Sequence, residues 1–202
     1  MTDIEAASRE RSLAEESKTI AEQTSESTGY PSIWRELWEV VETILLALIL
    51  YFAIDAVFAR VRVENISMES TLKEGDVLVV NKLAYRWGEY ETGDVIVFHN
   101  PNFLEEDFIK RLIGKPGDWI IVQDGHVFVN DVMLNEDYLD EPPEYEGEWL
   151  VPSNAIFVLG DNRNESSDSH SWGYVPLEDV VGKALFVYWP WDAMTILENP
   201  YQ

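Results

Sequence analysis

The chain has 202 residues, enough for one domain of ordinary size with a tail. Its 38 acidic residues against 14 basic ones give a formal charge of −24, which argues against nucleic acid as a partner, because phosphate binding needs a basic patch. A hydrophobic content of 46% points to a packed core, and the absence of cysteine excludes a disulfide, a zinc–thiolate site and a cysteine nucleophile.

Residues 1–33 are rich in Ser, Thr, Glu and Ala, with Ser25-Glu26-Ser27-Thr28-Gly29 as the clearest breaker. Such a segment buries too little to offset its chain entropy and is expected to be a disordered acidic tail, with a frayed helix near Ile4–Ile20 as the alternative. Composition changes sharply in 34–60. Thr43 to Ile54 carries no charge, Asp55 interrupts, and Ala56-Val57-Phe58-Ala59 continues before Arg60. That run of about 17 residues spans roughly 25 Å as a helix, near the low end for a bilayer core. Trp34 and Trp38 precede it, where interfacial aromatics sit, and Glu39, Glu42 and Asp55 lie near its ends. The reading is a membrane anchor over 34–60 with a transmembrane helix at 37–59. A buried core helix fits less well because the run is apolar all round, and a cleaved signal peptide fits less well behind a long acidic tail. Arg35 lies before the run while Arg60, Arg62 and Lys73 lie after it, so the local basic residues lean toward an internal C-terminal part.

From residue 61 to 202 the pattern is that of strands. Asp76-Val77-Leu78-Val79-Val80 and Asp94-Val95-Ile96-Val97-Phe98 are short, β-branched and each preceded by glycine. Asp118 to Gln123 and His126 to Val129 flank Asp124-Gly125, a strong hairpin signal. Asn154 to Gly160 and Gly182 to Trp189 complete the set, and Pro142-Pro143 with acidic neighbours marks an exposed loop near 135–150. The expectation is an all-β, antiparallel catalytic domain preceded by one N-terminal transmembrane helix.

Three segments can carry chemistry. Ser67 lies between Ile66 and Met68, just after the apolar run and ahead of a strand. A serine hydroxyl is a weak nucleophile until a base takes its proton. Lys110 lies between Ile109 and Leu112-Ile113, and Arg111 has the opposite strand parity, so an outward Arg111 predicts an inward Lys110. Burial lowers an ammonium pKa, and a neutral amine near pH 7–8 is what a general base requires. Gly160 to Gly173 is a polar segment after a strong strand, placed as a site loop would be.

Together these segments resemble the type I signal peptidase (leader peptidase) family. Its Ser-Met-x-Pro-Thr-Leu signature stands here as Ser67-Met68-Glu69-Ser70-Thr71-Leu72, and its Gly-Asp-(Ile/Val)-Val-Val-Phe as Gly93-Asp94-Val95-Ile96-Val97-Phe98. The base segment, Tyr-Ile-Lys-Arg-Val-Ile-Gly-Leu-Pro-Gly-Asp, is similar to Phe108 through Asp118. Gly-Asp-Asn-Arg-x-x-Ser-x-Asp-Ser-Arg is similar to the stretch from Gly160 to Ser169. The resemblance implies a signal-peptidase-like β fold and a serine endopeptidase that cuts signal peptides from exported preproteins after Ala-x-Ala, with no cofactor or metal. It implies Ser67 as nucleophile, Lys110 as base, Ser166 as the residue orienting the lysine, and the Ser67 backbone N–H as an oxyanion donor. Asp161 with Arg111, and Asp168 with His170, would be structural supports. Ile66, Met68 and Ile109 are substrate-pocket candidates by adjacency. The implied partners are preprotein signal peptides and the lipid bilayer, with a secretion translocon as a further one. The implied location is the plasma membrane, single-pass, N-terminus cytoplasmic and catalytic domain extracytoplasmic, against the lean of the local charges. Three departures stand out: Ser70 replaces a proline of fixed φ, His170 replaces an arginine, and Asn65 stands where some members carry a serine as second oxyanion donor. A catalytically inactive anchored β domain that binds extended peptides is the other reading; a self-cleaving serine–lysine regulator fits poorly with the apolar helix and the absence of a basic module.

Overall fold

The computed structural model describes residues 33–100 and 103–201, so the expected tail, apart from Ile33, lies outside the described residues. Helix α1 spans Ile33–Val57, contains no Gly or Pro, and has no buried residue. Its 25 residues extend ~38 Å, long and apolar enough to cross a membrane by length and composition. The helix ends three residues before the expected anchor does, because Phe58–Arg62 forms strand β1 and pairs with β2 (Val77–Asn81), Phe58 opposite Asn81. The boundary between two compact units falls between Tyr51 and Phe52.

The second unit is the expected antiparallel β domain. Its further strands are β3 (Val95–Asn100), β4 (Phe103–Gly114), β5 (Trp119–Gln123), β6 (His126–Val129), β7 (Val132–Met133), β8 (Gly147–Leu150), β9 (Ala155–Leu159), β10 (Val175–Pro176), β11 (Val180–Trp189) and β12 (Thr195–Ile196). One sheet runs β1-β2-β11-β3-β4-β9-β10, with β12 beside β11; a smaller one runs β7-β6-β5-β8. Asp124 and Gly125, both at positive φ (51° and 77°), make the β5–β6 turn that the Asp-Gly pair predicts. Strand β8 falls inside the stretch expected to be an exposed loop. Acidic residues and prolines hide it in the sequence, but β5 pairs with it and Trp149 packs on Phe157 at 5.0 Å.

Strand β4 is central, between β3 and β9, and every residue from Ile109 to Ile113 is buried. Both its faces are therefore covered. The premise of an outward Arg111, from which an inward Lys110 would follow, does not hold: Lys110 and Arg111 point to opposite faces and both are about 2% exposed. Arg111 is stabilised there by Asp161, with Nε to Oδ1 at 2.7 Å and an Nη to Oδ2 at 2.6 Å, and it also donates to the Gly93 carbonyl. Thr71 joins the pair, donating to Asp161 at 2.6 Å and accepting from Arg111 at 3.2 Å. This ties the loop after β9 and the turn after Ser67 to the same point of β4.

That turn has an unusual backbone. Thr71 N–H donates to the Met68 carbonyl, and Ser70 between them sits at φ 83°. A proline ring, fixed near −65°, cannot adopt this conformation, so the family's proline is incompatible with the turn as it stands here.

Two stability outcomes follow, both read by urea unfolding in detergent. Arg111→Met strands the Asp161 carboxylate and lowers stability by about 3–5 kcal/mol, part of which Asp161→Asn recovers. Ser70→Gly relieves the left-handed conformation and raises stability by about 0.5–1 kcal/mol, whereas Ser70→Pro lowers it.

Candidate active site

Ser67 sits in the turn-rich segment between β1 and β2, which is anchored where Val63 exchanges backbone hydrogen bonds with Gly75 and Asp76. The Ser67 carbonyl accepts from the Asn162 backbone N–H, and Asn162 Nδ2 reaches the Ile66 carbonyl. The loop after β9 therefore holds the backbone on both sides of Ser67. Gly160 lies against the Ser67 carbonyl and the Ser166 hydroxyl, where a Cβ would collide with both.

Lys110 reaches Ser67 from β4. Its Nζ donates to Ser67 Oγ at 2.6 Å, and the Phe108 ring lies 5.3 Å from the same nitrogen. Burial pushes the Lys110 ammonium down to about 8, against the opposing pull of the Asp168 and Asp161 charges. The site thus holds a hydroxyl in direct contact with an amine whose neutral form is within reach of ordinary pH.

Other expected residues are placed differently. Ser166 Oγ is buried and has no hydrogen-bond partner among the described residues, so the expected contact with the lysine amine is not made. Asn65 was expected to offer its amide N–H to an oxyanion. Instead its Oδ1 accepts from the Ser67 backbone N–H at 3.2 Å and from Ser67 Oγ at 2.6 Å, since an Asx side chain readily bonds the backbone two residues on. Asp168 and His170 do come together: His170 Nδ1 lies 2.8 Å from Asp168 Oδ1, and the imidazole stacks on Tyr145. The second Asp168 oxygen accepts the Gly160 N–H, and Asp168 caps the short helix α2, which we define as Ser169–Trp172.

A cleft of about 600 Å³ runs beside the pair, lined by Asn65, Met68, Phe108 and Ile109 with charged residues from β1 and β4 around them. Of the three residues named from adjacency, Met68 and Ile109 line it; Ile66 does not, and is exposed. Among the described residues no group of His, Asp and Glu is arranged to hold a metal ion.

Sequence reasoning missed Thr71, Asn162 and the buried Arg163–Glu136 pair at 2.6 Å, whose guanidinium also donates to the Gly160 carbonyl. Thr71 and Asn162 lie inside the motifs but show no local sign of their partners. Glu136 sits in the stretch read as a loop.

The family described as signal peptidase, peptidase S26, matches residues 37–189. Signal peptidase I of Leptolyngbya laminosa is 39% identical over 184 residues, 86% of this chain and 90% of that protein. The probable signal peptidase I-2 of Synechocystis sp. is 40% identical over 191 residues, 90% of this chain and 86% of that protein. A solved signal peptidase I from Enterococcus faecalis aligns at 32% identity with a TM-score of 0.44, over 47% of this chain and 96% of that one. A match across three quarters of the chain, on a β domain with a buried serine–lysine contact, leads to one conclusion: the chain belongs to the peptidase S26 signal peptidase family and is a serine-type hydrolase.

Proposed function

We propose that this protein is a membrane-anchored endopeptidase that removes signal peptides from exported preproteins, cutting after small residues in the Ala-x-Ala pattern, with Ser67 as nucleophile and Lys110 as general base. The observation that carries the reading is the 2.6 Å contact between Lys110 Nζ and Ser67 Oγ in a water-poor setting. Neutral Lys110 takes the hydroxyl proton as Oγ attacks the scissile carbonyl. The Ser67 backbone N–H bonds the developing oxyanion. Collapse expels the new amino terminus, which receives the proton from Lys110 and leaves an ester on Ser67. Water, deprotonated by the same amine, then hydrolyses that ester.

The remaining roles follow from position. Ser166, a buried hydroxyl without a partner among the described residues, is the candidate to steady the neutral amine. Arg111 with Asp161, and Asp168 with His170, hold the loop that braces the Ser67 backbone. Met68 and Ile109 offer apolar surface in the cleft for small side chains. Helix α1 is the anchor, with the N-terminus cytoplasmic and the catalytic domain extracytoplasmic, since exported preproteins are cut on the outer face. The lipid bilayer and the preprotein's apolar segment are then its surroundings, and a translocon a neighbour.

Ser67→Ala and Lys110→Met each lower cleavage of a preprotein peptide with Ala at −3 and −1 by at least about 10³-fold while the far-UV spectrum stays native. Full activity in either variant, or a folded wild type that binds the peptide without cutting it, favours the anchored binding domain instead. The pH dependence has a defined sign. Lys110 works as a base only when neutral, so kcat/KM rises with pH and levels off above a midpoint near 8. At pH 7 about one tenth of the plateau is expected, and a rate that falls from pH 6 to 8 excludes Lys110 as the base.

A further inference from the structure

Asn65 is exposed and lines the cleft, yet one atom of it accepts two hydrogen bonds from Ser67. Both donors are ones the proposed reaction needs. The backbone N–H at 3.2 Å is the oxyanion donor, and the hydroxyl hydrogen, on an Oγ 2.6 Å away, is the one Lys110 must remove. On its other side Ser67 Oγ accepts from Lys110 Nζ. Hydrogen bonds therefore run from lysine to serine to asparagine. An amine that donates to Oγ is not at that moment accepting from it. The acceptor at the end of the chain is an amide carbonyl oxygen, the same kind of atom that a scissile peptide bond presents.

We infer that Asn65 is a positioning residue that holds Ser67 at rest, its side-chain carbonyl standing in for the scissile carbonyl until substrate displaces it into the cleft. This rests on the assignment of Ser67 and Lys110 as nucleophile and base. An arriving peptide carbonyl takes the Ser67 N–H from Asn65 Oδ1. The hydroxyl hydrogen then loses its acceptor and turns to the lysine amine, so proton transfer follows docking.

Two measurable properties follow. Displacing Asn65 is part of every binding event, so KM carries it. While Asn65 holds the hydroxyl hydrogen, the lone pairs of Oγ face Nζ and favour the ammonium. Lys110 meets Ser67 and the Phe108 ring, and the charges of Asp161 and Asp168 in the loop after β9 act on it from farther off. Asp161 and Asp168 favour the ammonium as well, so loss of the asparagine carbonyl shifts the balance one way, toward the neutral amine.

The test uses the full chain in detergent with the Ala-x-Ala preprotein peptide, measuring kcat, KM and the pH profile of kcat/KM for Asn65→Ala and the near-isosteric Asn65→Asp. Asn65→Ala lowers KM about 3–10-fold, the equivalent of one hydrogen bond, and moves the acid limb to lower pH. Asn65→Asp, a stronger acceptor carrying charge, raises KM and moves the limb to higher pH. If Asn65→Ala fails to fold, the aspartate variant alone decides. An unmoved KM and acid limb, or a tenfold loss of kcat in Asn65→Ala, overturns the inference: Asn65 then only shapes the loop, or donates to the transition state. Cleavage that survives Ser67→Ala, run alongside, overturns the underlying assignment rather than the role of Asn65.

Discussion

An ammonium taken out of water must find a partner or lose its proton, and Lys110 is held where neither demand is fully met. It is almost wholly buried and meets a hydroxyl, not a carboxylate, while two carboxylates pull on it from the loop after β9. Full pairing with a carboxylate would have kept the charge far above neutral pH. An entirely apolar surround would have made a neutral amine with nothing to act on. The compromise needs Ser67 fixed to within a fraction of an ångström, and the scaffolding around the site serves that placement.

The neighbouring residue on the same strand shows the opposite solution. Arg111 is equally buried, but it faces Asp161 in a two-pronged contact, and its guanidinium also stacks over the Tyr138 ring at 4.4 Å. Strand alternation puts the two cations on opposite faces of β4, so one position is structural and the next is the proposed reactive one. The structural one locates the reactive one's partner. Asp161 begins the loop whose Asn162 bonds the Ser67 carbonyl, and Thr71, on the Ser67 turn, binds the Arg111–Asp161 pair directly. The geometry of the proposed nucleophile and base is thus referred to a single ion pair one residue away.

Much of the fold was legible. β-branched runs bounded by glycine marked β2, β3, β5, β6, β9 and β11, and Asp124-Gly125 marked its turn, because local chemistry decides those features. Ser67 and Lys110 drew attention for their apolar settings, and the structure brings them into contact. What could not be read was tertiary. Parity alone could not say that both faces of β4 are covered, so it could not tell that Arg111 is buried along with Lys110. The end of Asn65 that meets Ser67 depends on the turn, and the missing partner of Ser166 depends on side chains from distant segments. Glu136 had no local signal at all, since its partner Arg163 lies on another loop.

Charges of both signs are buried in this protein, and the outside of the molecule stays almost as acidic as the whole sequence. Lys110, Arg111 and Arg163 are withdrawn into the protein, from a total of only 14 basic residues against 38 acidic ones. Asp76, Asp94, Asp161 and Asp168 are buried as well, so the surface keeps nearly the whole formal charge of −24. Copies of such a chain repel one another, and mobile counter-ions gather around each, an atmosphere that contracts to ~8 Å at physiological ionic strength. Added salt eases that self-repulsion while leaving the dry lysine–serine contact nearly unscreened, so solubility and crowding respond to ionic strength far more than the reacting pair does.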